Sequence, residues 1–132
     1  MIYLDTNIFL YPLLGNDSKS DLCLAILQKV AAGEIDAGTS ALTWDEFYYT
    51  LIYKIGKERT HELSKDFLTT PNLIFFDATE EIINRSHELA QQFNLKPRDA
   101  IHAATAILNK CDSIVSDDKD FDSVKGLKRV AP

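Results

Sequence analysis

Carboxylates punctuate this chain where apolar segments stop or helical ones begin. The first apolar run, "IYL", ends in Asp5, and a later one, "SIV", passes through Ser116 into Asp117 and Asp118. Glu46 stands near the start of "TWDEFYYTLIYKIGK" and Asp99 near the start of "PRDAIHAATAILNK". Each acid has an ordinary explanation, because Asp and Glu early in a helix complement its dipole, and Asp5 and Asp118 suit caps or turns. Four carboxylates gathered at one place would instead repel and raise one another's pKa. A divalent cation removes that conflict, and oxygen donors without a Cys or His cluster suit Mg²⁺ or Mn²⁺ rather than zinc. Such an ion activates water and neutralises a phosphoryl group without a Ser, Cys or His nucleophile. His102 follows Asp99 by three residues and shares its helix face. A packed or hydrogen-bonded helix histidine accounts for it, and it receives no catalytic role.

The acids can meet only if the elements bring them to one edge. "MIYLD" reads as a strand, residues 19–34 as an amphipathic helix closed by Gly33, and 35–40 as a short strand or strand and turn. Trp44, Phe47, Tyr48, Leu51, Ile52 and Ile55 give 43–57 a helical apolar stripe; a second helix follows and stops at Pro71. Residues 72–77 read as a strand, 79–93 as a helix opened by Thr79, and 97–110 as a helix with proline in its first turn. "SIVSDD" and "LKRVA" complete the set as strands. Alternation of this kind predicts an α/β fold of three layers, α/β/α, around a mostly parallel twisted sheet of four to five strands joined by right-handed crossovers. Ligands of such sheets bind beyond the carboxyl ends of the strands, where strand order reverses. Asp5 and Asp118 end strands, and Glu46 and Asp99 open helices leaving or approaching that edge.

The 132 residues, 45% of them apolar and without repeats or linkers, predict one domain spanning 1–132. No apolar stretch reaches the length of a membrane span, and the N-terminus lacks a basic, then apolar, export signal, so a cytoplasmic protein is expected. Cys23 and Cys111 form no CxxC pair and are expected to be free. A net charge of −6 argues against a module that coats nucleic acid, though not against an enzyme acting on it through a metal.

Three segments in order, "YLDTNIFLYPLL", "TSALTWDEFYYTL" and "LKPRDAIHAATAILNKCDSIVSDDKDF", resemble PIN-domain ribonucleases, and among them VapC-type toxins of toxin–antitoxin systems. The resemblance runs from end to end and is most specific in the last segment. It implies a metal-dependent endoribonuclease whose acidic quartet falls on Asp5, Glu46, Asp99 and Asp118, with Asp120 as a further ligand of one or two Mg²⁺ or Mn²⁺ ions. The S-x-D spacing alone favours Asp118 over Asp117. Thr6, Asn7 and Ser40 fall where relatives hold polar groups that orient the carboxylates, and Ser116 replaces the family's common threonine while keeping the hydroxyl. The resemblance further implies an antitoxin partner and a homodimer.

Lys54, Lys57 and Arg59, with Lys96 and Arg98, are candidates for phosphate contact, although short mixed-charge runs are commonly solvated faces. Tyr49 and Tyr53 suit base stacking or an oligomer interface equally. Rival readings are a catalytically silent PIN-like module binding RNA or protein, a receiver-like signalling domain with Asp77 as phosphoacceptor, and an aspartyl phosphatase. The silent module should have lost acids, the receiver needs an acidic pair after its first strand, and the phosphatase needs DxD where this chain has Asn7.

Overall fold

The computed structural model describes residues 1–132. Its elements, in chain order, are β1 (Ile2–Leu4), α1 (Thr6–Leu14), α2 (Ser18–Ala31), β2 (Ala37–Ser40), α3 (Thr43–Ile55), α4 (Lys57–Leu68), β3 (Leu73–Phe76), α5 (Glu80–Phe93), α6 (Pro97–Leu108), β4 (Ser113–Val115) and β5 (Arg129–Val130). A short 3-10 turn covers Lys119–Ser123. All strand pairs are parallel and the sheet order is β3-β2-β1-β4-β5. β1 is therefore central, with Ile2 opposite both Ala37 and Ser113. Successive strands step outward on one side of β1 and resume on the other at β4, so strand order reverses between β1 and β4.

Adjacent residues of β1 point to opposite faces and seed the two halves of the core. Leu4 packs with Ile8, Phe9, Val30, Phe47, Leu51 and Phe67 of α1 to α4. Tyr3 packs with Ile82, Leu89, Ala103, Ala104, Ile114 and Phe121 beneath α5 and α6. Helices thus cover both faces, giving the expected three layers. The alanines of α6 let its backbone lie close to the sheet, which fixes Asp99 and His102 closely in space.

One helix escaped the sequence expectation. "TNIFLYPLL" buries Ile8, Phe9 and Leu10 in succession, and Pro12 withdraws an N–H from the helix interior. Neither feature gives a 3.6-residue stripe, yet the segment forms α1, capped by Asp5 and closed where the Gly15 N–H donates to the Tyr11 carbonyl at 2.9 Å. Cys23 is buried, Cys111 half-buried, and both are free thiols. No helix is long and apolar enough to cross a membrane.

Candidate active site

The reversal between β1 and β4 places Asp5 beside the segment leaving β4. Asp5 is 5% exposed; its Oδ1 accepts the Thr6 N–H at 2.7 Å and its Oδ2 accepts the Ser116 hydroxyl at 2.6 Å. The same Ser116 oxygen accepts the Asp118 N–H at 3.0 Å. Asp118 Oδ1 in turn accepts the Asp120 N–H at 2.9 Å and caps the 3-10 turn. Arg129 of β5 supports this corner by donating to the Ser116 carbonyl at 3.0 Å, a contact that no local motif announces.

Asp99 enters from the first turn of α6. Carboxylate oxygens of Asp99, Asp118 and Asp120 lie within 4.8 Å of one another. Burial, then the negative charges of Asp118 and Asp5, push the Asp99 pKa up to about 6. Glu46 adds to that repulsion and His102 opposes it. Asp117 turns away from the cluster to Lys19 at 2.7 Å and Tyr11 at 3.2 Å, tying the end of β4 to α2 and α1. Its hydrogen bond to Lys19 holds its carboxyl below the usual aspartate range.

Glu46, in the first turn of α3, is held at a second corner. Its Oε1 accepts the Thr6 hydroxyl at 3.0 Å and meets His102 Nε2 at 2.5 Å. That nitrogen is also 3.4 Å from Asp5 Oδ1. On the other side of the ring, Nδ1 lies 2.6 Å from the Tyr3 hydroxyl, whose oxygen accepts the Ser40 N–H at 3.0 Å. The Ser40 hydroxyl makes no hydrogen bond to an acid; its Oγ accepts the Leu42 N–H at 3.1 Å and shapes the turn into α3. Asn7 stands half-buried on α1 next to Thr6. Burial favours the protonated form of Glu46, but His102, Thr6 and Arg98 outweigh it and lower the Glu46 pKa. Burial likewise disfavours a charged His102, yet the oxygens of Tyr3, Glu46 and Asp5 raise its pKa well above the ordinary value. Tyr3 and His102 were not singled out as site residues, because their partners lie far along the chain.

The basic candidates divide. Arg98 lines the cleft beside Glu46 and His102, pairs with Asp45 at 2.9 Å and stacks on the Tyr49 ring, 5.9 Å from its centroid. Lys54 is two turns further along α3 than Glu46, roughly 12 Å at the helical rise. Lys57 and Arg59 line a separate depression at the α3–α4 junction, where Arg59 pairs with Glu62 at 3.3 Å. Lys96 is exposed at the N-cap of α6. Asp77 follows β3, which β2 separates from β1, so a receiver-like site shared with Asp5 is not assembled. The oxygen donors of Asp99, Asp118 and Asp120, with their unrelieved negative charge and Asp5 behind them, have the chemistry a hard divalent cation requires.

A family profile described as the PIN domain matches residues 2–127. This chain belongs to the PIN domain family. Solved structures agree with this PIN fold. The VapBC2 complex of Rickettsia felis, bound to a DNA fragment from its promoter, superposes with a TM-score of 0.77 at 21% identity, covering 99% of this chain and 98% of that one. Mycobacterium tuberculosis VapC20, a toxin described as cleaving the sarcin–ricin loop, gives 0.75 at 14% identity over 93% of this PIN domain and 94% of its own chain. A toxin–antitoxin complex from Klebsiella pneumoniae gives 0.66 at 24% identity over 96% and 95%. Comparison with curated protein sequences gives no match.

Proposed function

We propose that this PIN domain is a metal-dependent endoribonuclease and the toxin of a VapBC-type toxin–antitoxin pair, acting in the cytoplasm. The observation that carries the reading is the meeting of Asp99, Asp118 and Asp120 at the strand-order reversal, with Asp5 joined to Asp118 through Ser116 and its charge helping to push the Asp99 pKa up to about 6. Asp5, Glu46, Asp99 and Asp118, with Asp120 at the rim, would hold one or two Mg²⁺ or Mn²⁺ ions. An ion held there would supply an acidified water and charge neutralisation at the scissile phosphate. Ser116 and Thr6 orient Asp5 and Glu46, and Arg98 at the mouth is placed to meet a neighbouring phosphate. The likeness to VapBC and VapC structures supports RNA as substrate and an antitoxin as partner; the homodimer is what the resemblance to VapC-type toxins implies.

Cleavage of RNA with Mn²⁺, Mg²⁺ or EDTA, run on wild type and Asp5→Asn together, tests this. The ions should support cleavage and EDTA should abolish it, with Asp5→Asn inactive though folded. Undiminished cleavage by a clean Asp5→Asn preparation overturns the assignment.

A further inference from the structure

We propose that His102 is a positioning residue that fixes Glu46 so that only its Oε2 is free for the metal, an inference that rests on the reading of Glu46 as a ligand. His102 is 2% exposed, and its Nε2 lies 2.5 Å from Glu46 Oε1. Thr6 donates its hydroxyl to the same Oε1 at 3.0 Å. Two donors on one oxygen leave the other as the available donor atom of that carboxylate. The ring itself is held from behind: Tyr3, fully buried, places its hydroxyl 2.6 Å from Nδ1 while its oxygen takes the Ser40 N–H at 3.0 Å. A line of hydrogen bonds thus runs from the end of β2 through β1 and α6 to Glu46 on α3. On this proposal the ring carries a proton on Nε2, as the neutral Nε2–H tautomer and the charged ring both do, so the role depends on that proton's position and not on the ring's charge. His102 lies one turn beyond Asp99 on α6, so a single helix supplies one carboxylate and aims another.

Glutamine places an amide NH₂ near the position of imidazole Nε2, whereas asparagine reaches only the Nδ1 position. His102→Asn and His102→Ala are expected to lower Mn²⁺ affinity and RNA cleavage by about 10- to 100-fold, with His102→Gln recovering most of the loss. Mn²⁺ affinity is read from metal titration of folded protein, without RNA. Nitrogen-15 spectra of the metal-free wild type should show the ring proton on Nε2, with a resonance that moves in Glu46→Gln. A bare Nε2, or equal behaviour of the Asn and Gln variants, overturns the proposal. Should the wild type bind Mn²⁺ yet cleave no RNA, the nuclease reading fails, while the spectra and Mn²⁺ titrations still decide the role of His102.

Discussion

The hydroxyl of Ser116 joins Asp5 across the gap between the two central strands: it donates to Asp5 Oδ2 at 2.6 Å while accepting the Asp118 amide at 3.0 Å. Ser116→Ala strips a buried carboxylate of one donor and frees the turn that carries Asp118. It should cost about 1–3 kcal/mol in urea denaturation and roughly 10-fold in RNA cleavage. Ser116→Thr keeps the hydroxyl and should restore most of both.

Asp99 should make the metal-free protein less stable as pH rises. Its folded pKa of about 6 exceeds the ordinary 3.8, so between those values the folded state holds more protons than the unfolded one. Raising pH through that window therefore lowers stability, and the deficit persists above it. Because Asp99 is only half-buried, the deficit is about 1–2 kcal/mol after allowance for solvent screening. Thermal melts of wild type and Asp99→Asn should coincide near pH 4 and diverge by pH 7, with the variant the more stable.

Adding Mn²⁺ should reverse that deficit. At a concentration 100 times its dissociation constant the ion stabilises a one-site protein by about 2.7 kcal/mol, a rise of several degrees in melting temperature for a domain of this size. Asp118→Asn should show little of that rise.

Arg98→Ala should weaken RNA binding several-fold, with a reduced salt dependence, because Arg98 lines the cleft beside Glu46. Lys54→Ala, at the far end of α3, and Lys57→Ala, at the start of α4, should bind within about twofold of wild type, since exposed charges remote from a site contribute little. Fluorescence anisotropy with a labelled RNA across a salt series checks all three.

Gly38 sits where β2 passes the Phe76 ring; a Cβ there would come within 2.4 Å of ring carbon Cε2. Gly38→Ala should therefore destabilise the sheet by about 1–3 kcal/mol, read by chemical denaturation, with Phe76→Leu in the same chain relieving part of the loss.

The layers and the convergence of acids were legible because both follow from short-range pattern. Val115 and Leu4 end apolar runs, and the acids after them must emerge at the carboxyl edge once the strands are parallel. α1 was not legible, since Ile8, Phe9 and Leu10 are buried in succession and Pro12 disguises the helix. His102 looked like a packed helix residue, and it is packed; its bond to Glu46 spans 56 positions that no local spacing encodes. The separation of Asp117 from Asp118 depends on Lys19 and Tyr11, which only the folded α1 and α2 bring near. Lys54 and Lys57 share a helix or its junction with Glu46, but helical rise carries them away from the acid.

The central position of β1 has a consequence for synthesis. β1 must wait for residues 113–115 to complete its pairing, and Asp118 and Asp120 emerge later still. A nascent chain, or one cut short before β4, holds Asp5, Glu46 and Asp99 without Asp118 and Asp120. On the proposed reading, the chain cannot cleave RNA until β4 and the turn that follows it have been made.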